Sequence, residues 1–160
     1  MDPELCRQHL AELLGEEITL LGQLQQLLED ERDLIGSAQP EALRRTTRAR
    51  QERLGALARI EEQRRSLCSL HGHPGDRAGL KRLSRWCDPA GMLTAPLAEC
   101  AALALRCRDL NDRNGVMVAA KMKRVSEALQ TLTGRAANGD TYGPRGYTTR
   151  ARGGRILGAV

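Results

Sequence analysis

From residue 4 to residue 35 leucine returns every seventh position in two neighbouring series, Leu13, Leu20, Leu27, Leu34 and Leu14, Leu21, Leu28, Ile35. Leu10 and Leu24 fill the gap between them, and Glu17 and Glu31 interrupt that third series. Such spacing gathers apolar side chains on one side of a helix. Sustained for more than three heptads, it predicts coiled-coil-like packing against other helices. Pro3 suits the first helical turn, with Asp2 as the cap. Composition agrees: hydrophobic residues make up 41%, enough for a core, while aromatics are 2% and phenylalanine is absent. Leu, Ala, Arg, Glu and Gln dominate, as in long helices.

Gly36 ends this first helix, and Ser37-Ala38-Gln39 leads to Pro40, which opens a second helix running to about residue 70. So short a link predicts an antiparallel hairpin. The second helix carries a diluted stripe, Leu43, Thr47, Leu54, Leu57, Ile60, Leu67 and Cys68, broken by Arg50, Arg53 and Arg64. It is expected to be exposed on more than one side. His71 to Gly79 reads as a loop on its glycines and proline. A short helix follows, with Leu80, Leu83 and Trp86 expected on one side. Cys87-Asp88-Pro89-Ala90-Gly91 then breaks the chain.

A third long helix is expected from Leu97 to Gly134. Its seven-residue series are Leu97, Ala104, Asn111, Val118, Val125, Leu132, with Cys100, Cys107, Asn114 and Leu103, Leu110, Met117 on the same side. Asn111 and Asn114 thus fall on the apolar side, where polar groups need partners. Gly115 follows, at a cost of about 1 kcal/mol relative to alanine within a helix. A buried asparagine can fix register against another helix, or it can meet a ligand or protein partner. Both remain open at this point. Beyond Gly134 the chain is rich in Gly, Thr and Arg without periodicity, and reads as a mobile basic tail with a tight turn at Tyr142 to Gly146. The expected fold is all-α, an elongated antiparallel three-helix arrangement with a short connecting helix, as a helical domain over 1–134 and a tail over 135–160.

The net charge of +5 is unevenly spread. Residues 1–36 hold nine acids against two arginines, a balance of −7, and residues 37–70 hold eight arginines against four acids, a balance of +4. Residues 134–160 add five arginines against one acid, again +4. An acidic helix followed by a basic one predicts antiparallel partners with complementary flanks. That accounts for the arginines better than nucleic acid does, since no aromatic residues interleave them for base stacking.

Catalysis finds little support: no phosphate-cradling glycine loop, no histidine paired with a motif nucleophile, no metalloprotease helix motif. Cys68, His71, His73 and Cys87 have metal-ligating side chains, but C-x2-H-x-H is not a common finger spacing. No metal and no cofactor is implied. Five cysteines at irregular spacing do not look like a disulfide framework, and three lie on apolar helix faces as small buried hydrophobes. No run approaches a membrane span, and MDPELCRQHL lacks the regions of a signal peptide, so a cytoplasmic location is expected.

Four stretches together resemble the FlgN family of bacterial flagellar type III export chaperones. They are LLEDERDLI (27–35) with the hairpin partner ending EEQRRSL (61–67), CRDLNDRNGVMV (107–118) with its Leu-Asn-x-x-Asn-Gly core, SEALQTLTG (126–134), and DTYGPRG (140–146). The resemblance covers about residues 10 to 160. Met117, Lys121-Met122-Lys123 and Arg145 depart from the usual pattern. The resemblance implies an ATP-independent chaperone for the hook-associated proteins FlgK and FlgL. It would hold their C-terminal amphipathic helix and deliver them to the export gate protein FlhA.

On the residues themselves, the acceptor for that helix is expected along Val118, Met122, Val125, Leu129 and Leu132, with Asn111 and Asn114 at its near end. Tyr142 is expected to dock at the gate, by analogy with the family. The protein is expected to act as a monomer, without nucleic acid and without stable membrane insertion. A structural coiled-coil adaptor is the alternative from another class, and a basic-tailed nucleic-acid binder is a third.

Overall fold

The computed structural model describes residues 2–133, which form four helices: α1 (Pro3–Ile35), α2 (Pro40–Leu70), α3 (Arg77–Cys87) and α4 (Thr94–Leu132). Asp2 caps α1, its side chain accepting from the Glu4 amide, and Pro3 occupies the first turn. Gly36 closes α1, and Pro40 opens α2. α2 ends in a left-handed glycine: Gly72 has φ of +70°, and the His73 amide reaches back to the Cys68 carbonyl at 2.9 Å. That geometry satisfies carbonyls the helix would otherwise leave open. The chain divides into two compact units, Met1–Ala120 and Lys121–Val160.

In the first unit, α1 lays down the core. Leu10, Leu14, Leu21, Leu24, Leu28 and Ile35 are buried, spaced by three, four or seven residues. Leu20 and Leu34 sit at its edge, half-buried. α2 runs antiparallel to α1, because Glu17 meets Arg64 and Glu31 meets Thr47 and Arg50. Its stripe is indeed thin: Ile60, Leu67 and Cys68 are buried, while Leu54 is exposed. α4 runs parallel to α1, joined to it at Cys100–Leu14, Cys107–Leu21 and Asn114–Leu28.

Two sequence expectations change in detail. α3 begins at Arg77, not after Gly79. Asp76 caps it, accepting from the Gly79 amide at 2.8 Å, and a Cβ on Gly79 would sit 1.7 Å from the Pro74 carbonyl oxygen. Only glycine fits that close approach. The apolar side of α3 is Leu83 and Cys87 with Leu80 packed against the core, whereas Trp86 is exposed and lies over His71, ring centroids 4.8 Å apart. Leu83 and Cys87 are four residues apart and share a face; Trp86 stands a residue off it.

α4 also starts earlier than Leu97. Asp88 is buried and accepts from the Leu93 amide at 2.6 Å, and Gly91 turns the chain with φ of +76° so that the helix begins at Thr94. Among the described residues no helix is long and apolar enough to cross a membrane. Described residues of the second unit, 121–133, are the closing turns of α4.

Candidate functional site

The first unit ends its core in a polar clamp built around Glu31. The carboxylate holds a position in the leucine series and is 6% exposed, so it needs partners. α2 supplies Thr47, whose hydroxyl donates to Oε1 at 3.4 Å, and Arg50, whose Nη1 stands 3.4 Å from Oε2. α4 supplies Asn114, whose Nδ2 donates to Oε2 at 3.3 Å and to the Leu28 carbonyl at 2.8 Å. Arg50 also donates to Asn111 Oδ1 at 3.1 Å. One carboxylate and one guanidinium thereby tie three helices together.

The structure separates the two asparagines that the sequence set side by side. Asn114 is buried and turned inward, while Asn111 is exposed, on the flank, with Arg50 as its partner. The seam of α4 is the series Cys100, Cys107, Asn114, and Ala104 and Asn111 fall outside it. The Cys100 thiol donates to the Leu14 carbonyl at 3.7 Å and the Cys107 thiol to the Leu21 carbonyl at 3.4 Å. All five cysteines are free and buried. Burial pushes the Cys100 thiol up to about 11, helped by the negative charge of Glu17, and burial likewise raises Cys107. These thiols are packing residues and poor nucleophiles.

Sequence reasoning missed the hub of the clamp. Glu31 was visible as an interruption of a leucine series, and that interruption was the signal: an acid at a core heptad position demands a cation from a neighbour. Glu17 repeats the lesson fourteen residues earlier. Arg64 of α2 meets it at 2.7 Å and also pairs with Glu61.

Burial along α4 stops at Asn114, and every residue from Gly115 to Thr133 is exposed. Val118 is 46% exposed in the first unit. In the second, Met122, Val125, Leu129 and Leu132 are 66, 49, 56 and 83% exposed. Their steps of three and four put Met122 through Leu132 in one row along the helix. Four large apolar side chains in a row, left in water, are unusual for a helix that belongs to a finished core. Tyr142 lies outside the described residues. Among the described residues no group of three or more His, Cys, Asp or Glu side chains is placed to hold a metal ion.

No curated protein and no solved structure matches the chain. A family model described as FlgN protein matches residues 1–150. With almost the whole chain under that match, the Asn-x-x-Asn-Gly segment set where burial ends and an all-helical fold around it, the protein belongs to the FlgN family of flagellar export chaperones.

Proposed function

We propose that this protein holds the C-terminal amphipathic helix of the hook-associated proteins FlgK and FlgL, prevents their premature assembly without ATP, and delivers them to the export gate protein FlhA. The observation that carries the reading is the exposed row Met122, Val125, Leu129 and Leu132, preceded by Val118. An amphipathic helix laid on such a row buries apolar surface on both partners, with anchors at steps of three and four. At about 25 cal/mol per Å2 of apolar surface, covering four such side chains offsets much of the cost of ordering the incoming chain.

Within the first unit, Asn114 anchors α4 to α1 at the point where burial along α4 ends. Asn111 is exposed and is taken, with Asn114, as a further client contact. Tyr142 is the proposed gate contact, since a tyrosine offers an apolar ring and a hydroxyl to one pocket. The reading places the protein in the cytoplasm as a monomer.

The test is co-purification of the full chain with FlgK and with FlgL. Leu129→Asp is expected to abolish a defined complex with either client while circular dichroism keeps its helical signal. Unchanged capture by Leu129→Asp moves the acceptor elsewhere. Concentration-dependent self-association with no client complex returns the protein to the class of coiled-coil adaptors.

A further inference from the structure

We infer that α3, together with the end of the first unit that it closes, is a docking surface for an anionic lipid layer. Gly79, Leu83 and Cys87 bury one side of this helix, and its exposed residues are Arg77, Ala78, Lys81, Arg82, Arg85 and Trp86. A short helix thus presents four cations, one aromatic ring and no acid to water. At about 100° per residue the cations share an arc of about 140°, and Trp86 stands about 40° beyond Arg82.

The neighbouring carboxylates are already engaged. Asp76 accepts from the Gly79 amide, and buried Asp88 from the Leu93 amide. Glu17 and Glu61, which share a groove with Arg77 and Lys81, are held by Arg64, and Glu61 also by Arg65. Among the described residues none of the four α3 cations forms an ion pair. Such a face favours an anionic partner.

The end of the unit adds apolar contacts. α2 runs antiparallel to α1, and Cys87 packs with Cys6 in the core. Trp86 lies over His71, and Arg7 Nη1 donates to Met92 Sδ at 3.1 Å. The start of α1, the close of α2 and of α3, and the turn before α4 therefore meet at one end. Each leaves one large apolar side chain in water there: Leu5, Leu70, Trp86 and Met92. Of the acids at this end, Asp2 caps α1 and Glu4 is held by Arg7 and Gln8.

A partner helix is read through anchors at fixed steps along one row, and four side chains from four segments make no such row. The headgroup layer of a membrane imposes no register. It takes an indole at its boundary and draws exposed Lys and Arg to its phosphates. Among the described residues no helix is long and apolar enough to cross a membrane, so this attachment is peripheral.

The experiment uses the full chain, whose single tryptophan is Trp86, so that its emission reports this surface directly. Vesicles of phosphatidylcholine with about one third phosphatidylglycerol are compared with pure phosphatidylcholine, at about 50 mM and about 500 mM salt. Trp86 emission is expected to move to shorter wavelength with the anionic vesicles alone, and to return at high salt. R82Q/R85Q is expected to weaken vesicle binding at least about tenfold with the helical signal by circular dichroism unchanged. R45Q/R48Q on exposed α2 positions, and R150Q/R152Q in the tail, are expected to keep the Trp86 shift. Soluble glycerophosphoglycerol is expected neither to shift Trp86 nor to compete.

Vesicle binding with unshifted Trp86, lost in R150Q/R152Q, assigns attachment to the tail and overturns the inference. Equal weakening by R45Q/R48Q assigns it to bulk charge and overturns it as well. Competition by glycerophosphoglycerol makes the surface a site for a small phosphate ester instead. A Trp86 response to polyglutamate or duplex DNA, with none to vesicles, makes the partner an acidic macromolecule and overturns the lipid assignment.

Discussion

The side-chain amide of Asn114 donates to the main-chain carbonyl of Leu28 at 2.8 Å, across 86 residues of sequence. The same offset of 86 joins Cys107 to Leu21 and Cys100 to Leu14. Three donors on successive heptads of α4 thus address three carbonyls on successive heptads of α1. A thiol is a weak donor, so the two cysteines contribute close packing more than bond energy. Asn114 is the strong rung, and its Oδ1 lacks a partner. An apolar residue there would avoid that cost but would not discriminate one register from the next.

Asn114→Ala removes the bond to Leu28 and one of the donors on buried Glu31. A loss of about 1–3 kcal/mol is expected from leaving those acceptors short. Urea unfolding followed by circular dichroism reads it directly. Asn111→Ala, which removes an exposed bond to Arg50, is expected to cost less than about 1 kcal/mol. Equal losses for the two variants would deny Asn114 its place as the tie between α1 and α4.

Arg64 and Arg65 are neighbours with different prospects. Arg64 bridges Glu17 on α1 and Glu61 on its own helix, with its side chain 21% exposed. Arg65 pairs with Glu61 alone and is 57% exposed. Arg64→Ala strands Glu17 beside a groove floored by Leu14, Cys68 and Cys100, and a cost of about 1–2 kcal/mol follows. Arg65→Ala is expected within about 0.5 kcal/mol of the parent. A double-mutant cycle between Glu17 and Arg64 that returns no coupling would sink this assignment.

The fold was legible wherever leucine, proline and glycine spoke together. The heptads of α1, Gly36 and Pro40 placed the first hairpin to within a residue, and the charge imbalance anticipated Glu17–Arg64 and Glu31–Arg50. The seam of α4 was harder to read. All three adjacent series carry apolar residues and two of them an asparagine, so hydropathy alone does not single out the buried one, Cys100, Cys107, Asn114. Trp86 misled for a related reason: an 11-residue helix buries a narrow face, and small Cys87 fits it where an indole does not. Exposure of Met122 through Leu132 was foreseeable only as an excess of apolar residues over available partners. The tail, Tyr142 included, lies outside the described residues.

Burial raises the thiols of Cys6, Cys68, Cys87, Cys100 and Cys107 above the usual value, Cys87 to about 12 and Cys100 to about 11. For Cys87 the neighbouring Cys6 adds to the effect of burial. The folded state therefore keeps protons that the unfolded chain releases near pH 9. Stability from these groups is complete below that pH and is lost as pH rises toward 11 and 12. Native protein is expected to leave a thiol-reactive dye unreacted at pH 8, with all five cysteines reacting after unfolding in guanidinium. Rapid labelling of Cys100 or Cys107 in the native state would show the α1–α4 seam to be open.

Tyr142→Ala separates the two proposed ends of the chaperone. The proposed acceptor row does not include residue 142, so capture of FlgK and FlgL is expected to stay as in the parent chain. Retention of FlhA in a pull-down is expected to fall at least about tenfold, the scale of losing one aromatic anchor. Equal gate retention for the two versions removes Tyr142 from that role.

Two leucines of the same size test whether the acceptor row is surface in the energetic sense. Leu14 is fully buried on α1, and truncation to alanine there leaves a cavity worth about 2–5 kcal/mol. Leu129 is 56% exposed, so even Leu129→Asp is expected to move the unfolding free energy by no more than about 0.5 kcal/mol. The contrast matters for function, because a stability-neutral Leu129→Asp makes any loss of client capture a loss of contact and not of folding. Should Leu129→Asp unfold at a markedly lower urea concentration than the parent, Leu129 is packed in solution and the row is no open acceptor.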